Sequence, residues 1–131
     1  MRLLETQCWA MPVPDDWHIE VDEDTVVVAD NEGVGSLEFS VLELEGAEPG
    51  REELLELAAE FVPRQGGGGQ PLRCGAWEGL RFEYVDGDDY CRDWLLAHEA
   101  RVLLVSYTCA LEHRELDDAA VDELLGELSA V

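Results

Sequence analysis

Between Trp77 and Ala110, apolar and polar positions alternate in three runs: Trp77–Val85, Tyr90–Ala97 and Arg101–Ala110. Period-two alternation over that length predicts three strands joined by two short connections. Ser36–Leu44 shows the same period, with Leu37, Phe39 and Val41 on one side and Glu38 and Ser40 on the other. Thr25–Ala29 is β-branched, and His18–Val21 alternates more loosely. Thr6–Met11 is a short apolar run ended by Pro12-Val13-Pro14, and Pro71–Cys74 is a further short strand candidate. The period turns helical twice. Arg51–Val62 lines up Leu54, Leu57, Ala58 and Phe61 against Glu52, Glu53, Glu56 and Glu60, and Pro63 stops it. Residues 117–128 repeat the device with Val121, Leu124, Leu125 and Leu128. Acidic residues crowd the start of both helices, where the helix dipole favours them.

This order predicts one α+β domain over residues 1–131, an α/β/α sandwich. A central, mainly antiparallel sheet of about six to eight strands would lie under two covering helices. Gln65–Gln70, with four consecutive glycines, reads as a loop; it lacks the Lys-Ser/Thr of a phosphate-binding loop.

The connection Asp86–Asp89 places Leu80, Phe82 and Tyr84 on one face with Cys91, Asp93 and Leu95. The other face takes Arg81, Glu83 and Val85 with Tyr90, Arg92, Trp94 and Leu96. The connection near His98-Glu99-Ala100 decides the last strand. Three loop residues put Leu103, Val105, Tyr107 and Cys109 on the Leu80 face; two loop residues exchange the sets. In the three-residue case Arg81, Tyr90, Arg92, Trp94, Ser106 and Thr108 share a mixed face. Arg and aromatic side chains together are common interface anchors, so these six are the candidate partner-binding residues; a solvated face with Arg81 and Glu83 paired is the alternative. Asp93 then lies among apolar neighbours, either as a buried acid or at a bulge or edge that reaches solvent.

The charge changes the picture further. Against 31 acidic residues stand 8 basic ones, all arginine, for a net charge of −23. Nucleic acid and anionic membrane surfaces are poor partners for such a chain, and a cationic protein is a good one. An organism-wide acidic bias accounts for the same composition without a partner. No stretch reaches the length of a membrane span, and Met1-Arg2-Leu3-Leu4 runs directly into polar residues, so a cytoplasmic protein with reduced thiols is expected. Cys8, Cys74, Cys91 and Cys109 form no Cys-x-x-Cys clip, and His18, His98 and His113 have no paired metal spacing. No cofactor, metal or catalytic constellation is expected.

The segment Pro12-Val13-Pro14-Asp15-Asp16-Trp17, the strand Trp77-Glu78-Gly79-Leu80-Arg81-Phe82-Glu83-Tyr84 and the strand Leu103–Cys109 resemble the Mog/PsbP-like α/β/α sandwich. The similarity covers roughly residues 6–128. That group includes a Ran-binding nuclear import factor, an extrinsic photosystem protein, bacterial DcrB-like proteins and chaperones of type VI secretion effectors. The resemblance implies a domain that binds proteins and is not an enzyme; a monomer or homodimer is expected. The expected function is a non-enzymatic adaptor or chaperone. An acidic immunity- or antitoxin-like protein is one alternative; a small-ligand binder or enzyme with a lid at Gly66–Gly69 is the other.

Overall fold

The computed structural model describes residues 2–23, 25–46, 48–61 and 69–131. Val62, expected to end the first helix, and Gly66–Gly68 of the four-glycine segment expected as a lid lie outside them. Among the described residues the strands are β1 (Arg2–Glu5), β2 (Trp9–Val13), β3 (His18–Val21), β4 (Val26–Ala29), β5 (Gly35–Glu43), β6 (Gln70–Cys74), β7 (Trp77–Asp86), β8 (Asp89–His98), β9 (Arg101–Ala110) and β10 (Ser129–Ala130). Helix α1 (Arg51–Phe61) lies between β5 and β6, and α2 (Asp118–Gly126) lies between β9 and β10. The fold is α+β. Seven strands form one antiparallel sheet in the order β3-β4-β5-β9-β8-β7-β6, and β1, β2 and β10 form a second, three-stranded sheet.

Each face of the large sheet has its own core. On one face Trp77, Trp94, Leu96, Leu103, Val105 and Tyr107 pack with Leu37 and Phe39, under Trp9, Met11 and Val13 of β2 and Val121, Leu124 and Leu125 of α2. On the other, Leu80, Phe82, Leu95, Ala97 and Val102 receive Leu54 and Ala58 of α1. The apolar stripes of the two helices therefore settle on opposite faces. Strand β8, with covered neighbours on both sides, is buried from Tyr90 to Ala97.

Two-residue turns join the strands at both hairpins. Asp86 pairs with Asp89 across Gly87-Asp88, and Gly87 takes a φ of 63° that glycine adopts without strain. His98 pairs with Arg101 across Glu99-Ala100, so the three-residue connection expected there is corrected. Glu99 carries a φ of 56°, a turn geometry for which Glu-Ala carries none of the usual Asn-Gly or Asp-Gly signature.

One residue fewer moves every side chain of β9 to the opposite face. Leu103, Val105, Tyr107 and Cys109 join Arg92 and Trp94, while Ser106 and Thr108 join Asp93 and Cys91. The expected mixed face therefore does not exist as one surface. The reading that lets Asp93 reach solvent is also corrected. It sits on an interior strand opposite Phe82 and Ser106 and is 6% exposed. It accepts a hydrogen bond from the Tyr84 hydroxyl, and among the described residues its Oδ2 has no hydrogen-bond partner.

Candidate functional site

The six residues expected to meet a partner are split by the sheet. Tyr90, Arg92 and Trp94 are buried on the face covered by β2 and α2. Arg81 shares their side but reaches the rim, where it donates to Gln70 Oε1 at 2.7 Å and pairs with Glu83 at 3.4 Å. Ser106 and Thr108 are exposed on the opposite face.

Arg92 is a structural cation. Its side chain is 2% exposed, its guanidinium lies 4.8 Å over the Trp94 ring, and it meets Asp122 Oδ1 at 2.6 Å and Asp118 Oδ1 at 3.5 Å. Because β8 faces α2 here, this cluster fastens the N-terminal half of the helix to the sheet. Burial and the nearby Glu83 carboxylate push the Tyr90 hydroxyl up to about 12, and it donates to Glu83.

Beside it, two carboxyl groups meet at the start of α2. Tyr107 Oη donates to Asp117 Oδ2 at 2.9 Å, and Asp117 hydrogen-bonds Asp30, which also accepts the Val34 N–H at 2.9 Å. Gly35 belongs to this arrangement, since a Cβ there would stand 2.4 Å from Tyr107 Oη. Burial and the hydrogen bond with Asp30 push Asp117 up to about 6, with Glu32 adding to the rise. Burial opposes ionisation of Asp30, but hydrogen bonds from Asp117 and the N–H groups of Val34, Gly33 and Gly35 outweigh it, so Asp30 stays below the usual range.

A proton on Asp117 thus favours the folded state. Its contribution is complete below about pH 4, the value of a free Asp, and is lost as pH rises through about 6. Asp117→Asn retains an amide donor for Asp30 and an oxygen for Tyr107 at every pH. We expect it to remove the wild-type decline between about pH 4 and 6 and to gain ~1–2 kcal/mol at neutral pH, allowing for solvent screening. Urea unfolding across that range checks this; a variant that tracks wild type would show that the pair shares no proton.

An acidic cleft lies elsewhere on the same face of the large sheet. Where β5 runs out from under β2, a cleft of about 580 Å³ opens between the β1–β2 hairpin and the β3–β4 turn. Trp9 stacks on Phe39 with ring centroids 4.5 Å apart, and Leu4, Val26 and Val41 complete an apolar lining. Thr6 shapes the hairpin: its N–H and Oγ1 both donate to the Trp9 carbonyl, and its Oγ1 accepts from the Trp9 N–H. The exposed carboxylates Glu5, Asp22, Glu23 and Glu43 line the cleft, and among the described residues no Arg or His does. Arg101 approaches Glu43 at 3.7 Å from outside. The arrangement suits a cation carried beside an apolar group. Sequence reading missed it because Leu4, Trp9, Val26 and Phe39 come together only through pairing of distant strands; the alternation of Trp9, Met11 and Val13 was the available signal.

Burial raises Cys74 to about 11 and lifts Cys91 and Cys109 above the ordinary thiol range, which keeps these thiols protonated at neutral pH. Among the described residues, no three His, Cys, Asp or Glu side chains gather in a metal-holding group. No helix among them is long and apolar enough to cross a membrane.

No family model matches the chain, and no curated protein matches it. Among solved structures, the chain is similar to a protein of Bacteroides thetaiotaomicron whose crystal structure aligns with a TM-score of 0.62 at 14% identity. The alignment covers 94% of this chain but only 45% of that one, so the chain spans less than half the length of its structural neighbour. The likeness is one of fold.

Proposed function

We propose that this protein is a non-enzymatic protein-binding module that takes a cationic partner at the acidic cleft. The observation that carries this reading is the cleft itself: four exposed carboxylates around a floor of Trp9, Phe39 and Val41, without a lining cation among the described residues. The net charge of −23 draws a basic partner toward it from a distance. The exposed Val21 side chain beside the charged rim supplies an apolar contact that long-range attraction lacks. An adaptor or chaperone is the role this cleft fits best. An immunity- or antitoxin-like protein differs in depending more steeply on salt, because charge alone would hold its partner.

The finer fold reading, a Mog/PsbP-like α/β/α sandwich, is part of the same proposal and is supported by the helices on opposite faces of the large sheet. A cytoplasmic setting belongs to it too, and the four free thiols support that.

Removing the charge tests the reading. The variant Glu5→Gln, Asp22→Asn, Glu23→Gln, Glu43→Gln should keep the wild-type circular dichroism. It should recover at least about tenfold less of a captured native protein partner at about 50 mM salt, with the difference shrinking at about 300 mM. Equal recovery at both salt concentrations would remove the cleft as the binding site.

A further inference from the structure

We infer that the cleft's partner is an extended basic segment that adds to the large sheet as an extra strand along β3. The inference rests on the proposed binding role of the cleft and adds how the segment is held.

Among the described residues, β3 ends the large sheet and pairs there with β4 alone. The Asp22 N–H donates to the Thr25 carbonyl at 2.8 Å, which sets the phase of the ladder. By antiparallel alternation, His18 and Glu20 then exchange hydrogen bonds with Ala29 and Val27, while the N–H and C=O of Ile19 and Val21 point off the sheet edge. That edge is a template for another strand.

The side chains agree with the backbone. Val21 faces the covered side of the sheet, as its register partner Val26 does, yet Val21 is 70% exposed where Val26 is 8%. Val21 also lines the cleft, beside Asp22 and Glu23. A strand added along β3 would set its alternate residues beside Ile19 and Val21 on the cleft's side of the sheet, and its cations on the other side beside Glu20, with Asp22 and Glu23 at the end of the strand. A second copy of this chain is the wrong occupant on charge, since pairing would bring two edges of −23 proteins together. A basic segment with β-branched residues at alternate positions has the required chemistry.

The probe is a terminally blocked hexapeptide, Arg-Val-Arg-Val-Arg-Val, used with the full chain. A second copy of the peptide carries N-methyl groups on alternate amides, which keeps its charge and blocks ladder hydrogen bonds. The unmethylated peptide is expected to bind at least about tenfold more tightly and to slow amide exchange of Ile19 and Val21 by about tenfold or more. Equal binding of the two peptides, with exchange unchanged, would overturn strand addition while leaving the cleft as a cation site. Failure of the unmethylated peptide to bind would also overturn it, and the four-carboxylate variant's partner recovery then decides separately whether the binding reading survives. Protection that appears without peptide and grows with protein concentration would identify a second copy as the occupant and overturn the basic segment.

Discussion

Replacing Asp118 and Asp122 together with asparagine is expected to destabilise the protein by about 3–5 kcal/mol, whereas Arg92→Met should cost less than ~1.5 kcal/mol. The asymmetry follows from where the charges sit. The guanidinium is 2% exposed, while the side chains of Asp118 and Asp122 are 39% and 58% exposed. Removing the carboxylates strands a buried cation, whose Nε and Nη1 already lack hydrogen-bond partners among the described residues. Removing the cation leaves three carboxylates, Asp118, Asp122 and Glu83, that water can reach, and methionine fills much of the space against Trp94. Burial raises Asp118 and the Arg92 charge counters it, so losing Arg92 also lets Asp118 take up a proton more readily. Urea unfolding of the two variants reads the order directly. If Arg92→Met proved the more damaging, the ion pairs would be dispensable and packing of the long side chain on Trp94 would hold α2 in place.

The same residue shows where the sequence was legible and where it was not. Alternation in Trp77–Val85, Tyr90–Ala97 and Arg101–Ala110 marked three strands, and the structure has them, the first two extended by a residue at the turns and the third unchanged. The stripes of α1 and α2 were legible for the same reason: each helix meets its own face of the sheet with Leu54 and Ala58 or with Val121, Leu124 and Leu125. Register is a different quantity. It depended on Glu99 accepting a left-handed conformation, which its neighbours do not announce, and that one residue sent Arg92 and Trp94 into a core and Ser106 to the other side. An arginine on an amphipathic strand reads as surface. Only the carboxylates of α2, about 26–30 positions later in the chain, make its burial tolerable. Strands β1 and β10 were missed because they are short and find their order in pairing with β2, at opposite ends of the chain. The cleft inherits that difficulty, since its floor is made by bringing Trp9 over Phe39.

Gly79→Ala is expected to cost about 3 kcal/mol or more, or to prevent folding, although it adds a single methyl group. A Cβ at this position would stand 1.9 Å from the Leu95 carbonyl oxygen and 3.0 Å from the Leu96 Cα. Both atoms belong to the backbone of β8, which cannot turn aside as a flexible side chain would. Glycine within a strand marks such close backbone approach, and here it lets β7 lie against the most buried strand of the sheet. The consequence reaches the cleft. Register passes from β7 to β8, then through Trp94 opposite Val105 to β9, then through Val105 opposite Phe39 to β5. A forced separation at Gly79 would disturb that chain of pairings and with it the placement of Phe39 under Trp9. Gly87→Ala supplies the control: its φ is 63°, but nothing lies within 4 Å of the added Cβ, so only turn strain of ~1 kcal/mol is expected. Thermal or urea unfolding of the pair separates steric conflict from conformational preference. A Gly79→Ala protein within ~1 kcal/mol of wild type would mean that β7 and β8 can part without loss, and that the register does not depend on their contact at this residue.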